Sequence, residues 1–237
     1  MPLKEVELHP FLKIGESITA SRMIVGTFPV YSITRPRNSL KAQVSRDNGN
    51  LQFFYGSSAN QFWSWYQRFI DNTVNRKCNK SILASLKNHG IAISDVIVKC
   101  ERKESSFRDS DLRAKDWNMR LANVIENQID KILCTSKSQC GAMGWLRDRI
   151  LIPSGFQLCP GESSQMHKQI LESIQHSNHH VKPIAQTLIK NNKMITIISL
   201  PSPGSPYRRL VDFGYNAQMH HSETYLDNYL RQVFQWF

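Results

Sequence analysis

Met23-Ile24-Val25-Gly26-Thr27-Phe28-Pro29 is the stretch on which the fold turns. Its three apolar residues run without a polar break, the pattern of a strand buried on both faces. Gly26 then lets a ligand approach the backbone, and Pro29 stiffens the turn. Three further runs have the same character: residues 91–98, Ile132-Leu133-Cys134 and residues 194–200. Helical spacing lies between them. Residues 61–70 carry Phe62, Trp63, Tyr66 and Phe69 on one face, and residues 81–88 carry Ile82, Leu83 and Leu86, with Gly90 placed to end that helix. Residues 112–129, 138–150 and 163–174 read as further helices. Ser222 is placed to cap a last one, whose apolar stripe is Tyr225, Leu226, Tyr229, Leu230, Val233 and Phe234. Residues 187–198 read as a lone strand or as a hairpin turning at Asn191-Asn192. This alternation predicts one α/β domain over residues 1–237, a three-layer α/β/α sandwich around a central, mostly parallel four-stranded sheet. In such folds ligands bind beyond the carboxyl ends of the strands.

Composition narrows the partner. Lys and Arg outnumber Asp and Glu by 30 to 19, a net charge of +11. That excess suits DNA or RNA, because each neutralised phosphate releases counterions; a basic protein that binds no polyanion is the other reading. A hydrophobic content of 41% is enough for a core and excludes a disordered chain. The five cysteines are odd in number and show no Cys-x-x-Cys spacing, which predicts reduced thiols and a cytoplasmic location. No metal or other cofactor is expected, with Cys134, Cys140 and a remote His left as the one open ligand set. Residues 1–10 lack the apolar core of a signal peptide, and no run of about 18 apolar residues predicts a membrane span. Phosphate-binding and hydrolase signatures such as Gly-x-x-x-x-Gly-Lys-Ser/Thr and Gly-x-Ser-x-Gly do not occur.

The loops after the strands hold the candidate residues. The connection at 31–52 is longer than a simple crossover needs. In the segment 53–63, Phe62 and Trp63 read as core, whereas Tyr55 precedes small polar residues and offers an aromatic face to a base. Asn60 stands near a helix start, where it either caps the helix or holds a water or carbonyl oxygen. Asp95 interrupts the apolar run 91–98, so it serves a structural hydrogen bond or a ligand. Pro201, Ser202, Pro203, Gly204 and Ser205 form a rigid protruding loop, and Arg208 and Arg209 just beyond can reach phosphates.

In their order, these motifs resemble the uracil-DNA glycosylase superfamily, most closely its hypoxanthine-DNA glycosylase-like branch. Gly26-Thr27-Phe28-Pro29 stands for a Gly-Ser-Phe-Pro first motif. Residues 55–63 follow an aromatic-Ala-His-Pro-x-Asn-x-Phe-Trp segment with Asn60, Phe62 and Trp63 in register. Residues 90–102 follow Gly-Ile-Ala-x-x-Asp-Val…Cys-Glu-Arg, Thr135-Ser136-Lys137 a turn after the third strand, and residues 200–206 a Leu-Pro-Ser-x-Ser-Pro motif with one residue more. The resemblance covers residues 22–209. It implies a monofunctional glycosylase that flips a deaminated base, uracil or hypoxanthine, out of DNA and hydrolyses its N-glycosidic bond. The partner implied is DNA containing a damaged base, bound by a monomer. Asn60 is then the catalytic residue, Gly26, Thr27, Phe28, Tyr55 and Asp95 line the base, and residues 200–205 press into the duplex with Ser202 on a phosphate. Two departures stand out: Phe28 cannot activate water, and Ser57-Ser58 replaces His-Pro. A catalytically silent DNA-binding member of the same fold is the alternative.

Overall fold

A computed structural model describes residues 6–15, 17–34, 50–103, 106, 108–173, 184–218 and 220–237. Among them lie nine strands: β1 (Val6–Leu8), β2 (Arg22–Gly26), β3 (Ile91–Asp95), β4 (Ile97–Arg102), β5 (Leu112–Trp117), β6 (Lys131–Cys134), β7 (Gln157–Leu158), β8 (Ala185–Lys190) and β9 (Lys193–Ser199). The longer helices are α1 (Phe62–Phe69), α2 (Asn79–Asn88), α3 (Arg120–Gln128), α4 (Ala142–Trp145), which runs on through π-helical turns at Leu146–Leu151, α5 (Pro160–Ser173) and α6 (Ser222–Trp236). Most of the connection at 31–52 falls outside the described residues, as does residue 174.

The expected four strands do lie side by side and parallel, in the order β3-β2-β6-β9. The sheet is nevertheless mixed and six-stranded, not four-stranded, because β8 and β7 extend it antiparallel beyond β9. Asn191 and Asn192 form the two-residue hairpin turn between β8 and β9, with φ of 51° and 61°. Asn tolerates that left-handed backbone better than most residues.

Residues 91–98 do not form one strand. At Val96 the chain leaves the large sheet, and β4 joins a separate antiparallel sheet of order β1-β4-β5. The bend is held from two sides. The N–H groups of Val96 and Ile97 donate to the carbonyls of Gly26 and Thr27 at 3.0 and 3.2 Å. From the other side, the buried Asn118 donates Nδ2 to the Asp95 carbonyl and to Ser94 Oγ, both at 3.1 Å. Residues 112–117, expected as the start of a helix, are β5 instead; pairing with β4 overrides local spacing there.

Gly90 ends α2 as expected. Its φ of +60° is left-handed, and a Cβ there would meet nothing. Gly90→Ala therefore costs only backbone strain, about 1 kcal/mol, measurable as a lower urea midpoint with unchanged slope. The stripe on α6 is buried throughout, but Ser222 does not cap it. His221 stands at the cap position, with no side-chain cap. Instead, Tyr229 Oη donates to the Ser199 carbonyl at 2.6 Å and Tyr225 Oη to the Phe213 carbonyl at 2.8 Å, which fixes the end of β9 and the segment beyond it. Among the described residues no helix is long and apolar enough to cross a membrane.

Candidate functional site

Four parallel strands end together, at Gly26, Asp95, Cys134 and Ser199. The loops that leave them meet at one edge of the sheet. Gly26 lies at the centre of a small polar cluster: a Cβ on it would stand 2.3 Å from Asp95 Oδ1 and 2.6 Å from the Tyr55 hydroxyl. Only hydrogen fits there. The absent side chain lets a carboxylate and a phenol converge on backbone.

Asp95 is 2% exposed. Its Oδ2 accepts a hydrogen bond from His9 Nε2 at 2.8 Å. The Phe11 N–H donates to His9 Nδ1 at 3.1 Å, so Nδ1 is an acceptor and Nε2 carries the proton. Phe28 and Phe11 meet the imidazole edge-on, and Phe54 lies tilted against it at 5.2 Å. Burial pushes the Asp95 carboxyl above its ordinary range, against the pull of His9 and of the Gly26 backbone. Neither Asp95 Oδ1 nor the Tyr55 hydroxyl makes a full hydrogen bond to any described residue, and both are buried.

Tyr55 reaches this point through an unusual backbone. Its φ is 53°, a conformation costing a bulky residue of the order of 1 kcal/mol or more. The turn is fastened by Trp63 Nε1, which donates to the Phe54 carbonyl at 2.8 Å, and the Tyr55 ring packs 4.6 Å from that of Phe62. Phe62 and Trp63 are core, as their spacing suggests. Tyr55 is half-buried, with its hydroxyl turned inward instead of its face left bare. Burial and the neighbouring Asp95 raise that hydroxyl well above its ordinary range, while Thr135 draws it down.

A second carboxylate joins from the small sheet. Asp109, on the turn Asp109–Asp111, is half-buried, and its Oδ1 accepts a hydrogen bond from Thr27 Oγ1 at 2.7 Å. Burial lifts its pKa to about 6; Asp95 adds to the rise, and Thr27, Arg102 and Ser136 oppose it. Arg102 on β4 binds Glu7 Oε1 at 2.9 Å and donates to the Pro29 carbonyl at 2.7 Å, with its guanidinium 5.8 Å from the Phe28 ring. The small sheet thus holds the Gly26–Pro29 turn in place.

Asn60 Oδ1 accepts the Phe62 N–H at 2.9 Å in a turn just before α1, but the cap position itself is Gln61, with no side-chain cap. Among the described residues Asn60 Nδ2 has no hydrogen-bond partner. The next residue ties two loops together, since the Gln61 N–H donates to the Pro203 carbonyl at 3.0 Å. In that second loop Leu200, Pro201 and Pro203 are buried, whereas Ser202, Gly204, Ser205, Arg208 and Arg209 are exposed. Leu200 is therefore a core residue, not one that presses into a duplex. Its N–H is fixed to the Cys134 carbonyl at 2.7 Å.

Gly26, Thr27, Tyr55 and Asp95 are brought together, and Phe28 packs behind them in the core. His9, Asp109 and Arg102 belong to the same cluster; Arg102 closes the motif at residues 90–102, whereas His9 and Asp109 carry no sequence motif of their own. Cys134 is buried and Cys140 exposed, and among the described residues no three His, Cys, Asp or Glu side chains converge on a metal position. No protein-family model, curated protein or solved structure matches the chain.

Proposed function

We propose that the protein is a monofunctional DNA glycosylase of the uracil-DNA glycosylase type. In this reading a three-layer α/β/α domain, acting as a monomer in the cytoplasm, flips uracil or hypoxanthine from DNA and hydrolyses its N-glycosidic bond. The observation that carries it is the pair of buried, unsatisfied oxygens on Asp95 and Tyr55, both beside Gly26 at the carboxyl ends of parallel strands. Deamination leaves a base edge with an N–H next to a C=O. A carboxylate oxygen accepts from the first and a hydroxyl donates to the second. Buried polar groups that a ligand satisfies discriminate strongly against bases lacking the matching edge.

The remaining roles follow from exposure and chemistry. Ser202, Gly204, Ser205 and Arg208 are available to phosphates, which position DNA without reading its sequence, and Pro201 and Pro203 stiffen the loop from beneath. Asn60, with Oδ1 engaged, has its Nδ2 hydrogens to donate to an oxygen of the departing base, where negative charge develops. Asn60→Ala is expected to slow base release by about 100-fold while DNA affinity changes little, read by single-turnover release from uracil- and hypoxanthine-containing duplexes. An unchanged rate removes Asn60 from the chemistry.

The occupied Asn60 Oδ1 and the buried Phe28 also favour a second reading, a silent member that binds DNA without cutting it. It predicts salt-dependent DNA binding with no abasic product from any lesion.

A further inference from the structure

Hydrolysis at C1′ requires a group that takes a proton from the attacking water. None of the residues given a role above suits that task. The carboxamide of Asn60 orients a water but is not basic, and burial makes the Tyr55 hydroxyl a still weaker acid. Asp95 is sealed, with one oxygen committed to His9.

Asp109 also commits one oxygen, to Thr27 Oγ1, but it is a carboxylate and is not sealed. It arrives from the opposite sheet on a short turn, is half-buried instead of sealed, and is held by the Thr27 hydroxyl at 2.7 Å, one residue from Gly26. The cluster it adjoins contains two buried oxygens with unused hydrogen-bonding capacity, Asp95 Oδ1 and the Tyr55 hydroxyl. Resting on the glycosylase reading, we propose that Asp109 is the general base that accepts the proton of the water attacking C1′. The water oxygen bonds to C1′ as the C1′–N bond breaks, and that bond's electron pair leaves with the base. The proton passes from water to the Asp109 carboxylate and then to the departing nitrogen. The products are a neutral free base and an abasic sugar hydroxyl, and Asp109 is ionised again.

The charged and titratable groups facing Asp109 are Asp95 from β3, Arg102 from β4 and the Tyr55 hydroxyl, with Thr27 and Ser136 as neutral donors. Together with burial they set its pKa at about 6, near the value that suits a base working at neutral pH. Because the ionised form is the active one, the rate rises with pH up to that value and is flat above it.

The test is single-turnover release of uracil and hypoxanthine from duplex DNA between pH 5 and 8, with wild type and Asp109→Asn. The wild-type rate is expected to rise about tenfold per pH unit below the inflection, and Asp109→Asn to be at least about 100-fold slower with no inflection. A second readout uses duplexes carrying a cationic pyrrolidine or a neutral tetrahydrofuran in place of the target sugar. Wild type is expected to prefer the cation at pH 7.5, and to lose that preference at pH 5 and in Asp109→Asn. A variant that keeps the wild-type rate, or keeps the inflection, overturns the role of Asp109 and leaves the glycosylase reading standing. A wild type that releases neither base overturns that reading itself, and this proposal with it.

Discussion

His9→Ala is expected to lower the unfolding free energy by about 3 kcal/mol at pH 7.5. The imidazole is fully buried, and its Nε2–H is the one side-chain hydrogen bond to the buried Asp95 carboxylate among the described residues. Hydrogen bonds to charged groups contribute about 1.5–3 kcal/mol, and removing an enclosed ring leaves a cavity besides. The cavity opens among Phe11, Phe28 and Phe54, which pack on the imidazole. The effect depends on pH with a definite sign. The His9 donor favours the ionised carboxyl, so its loss is felt most where Asp95 is charged and shrinks in acid, where the neutral carboxyl needs less help. Urea unfolding of both proteins at pH 7.5 and pH 4.5 measures this. Equal losses at the two values would show that His9 acts through packing alone.

Asp109→Asn is expected to do the opposite, stabilising the protein by about 1–2 kcal/mol at pH 7.5. Burial raises the Asp109 pKa from 3.8 to about 6. Between those values the folded chain holds a proton that the unfolded chain has released, so stability falls as pH rises through the window. A shift of that size corresponds to about 3 kcal/mol at full effect, discounted here because the residue is only half-buried. Asparagine has no charge to desolvate, and its carboxamide oxygen still accepts from Thr27. The two unfolding curves should converge below pH 4 and separate above pH 6. A separation independent of pH would mean that Asp109 does not titrate in that window. A substitution that removes activity while adding stability is what a strained functional carboxylate predicts.

Strands whose residues are buried on both faces were legible in the sequence, because continuous apolar runs such as Met23-Ile24-Val25 have few other uses. The hairpin at Asn191-Asn192 was legible for a local reason, two residues suited to left-handed backbone. The strands missed were those with weak patterns. β7 is two exposed residues, β1 is largely exposed, and β5 buries only Leu112. Their pairing is fixed by partners distant in the chain, which no local window contains.

The site divides in the same way. Asp95 stood out because a carboxylate inside an apolar run is costly, and the loops stood out because parallel strands put ligand sites at their carboxyl ends. His9 and Asp109 were invisible. They reach the cluster across separations of 86 and 82 residues, through a small sheet whose existence depends on the bend at Val96. The small residues after Tyr55 suggest a bare stacking face; its left-handed backbone turns the hydroxyl inward instead.

The central claim is that the cluster around Gly26 receives a deaminated base and releases it. The most direct measurement incubates the wild-type protein with duplexes bearing a single uracil or hypoxanthine, and with undamaged DNA, followed by alkaline cleavage at abasic sites. The account predicts strand scission at the lesion and none in undamaged DNA. Binding to every duplex with no abasic product from either lesion would contradict it.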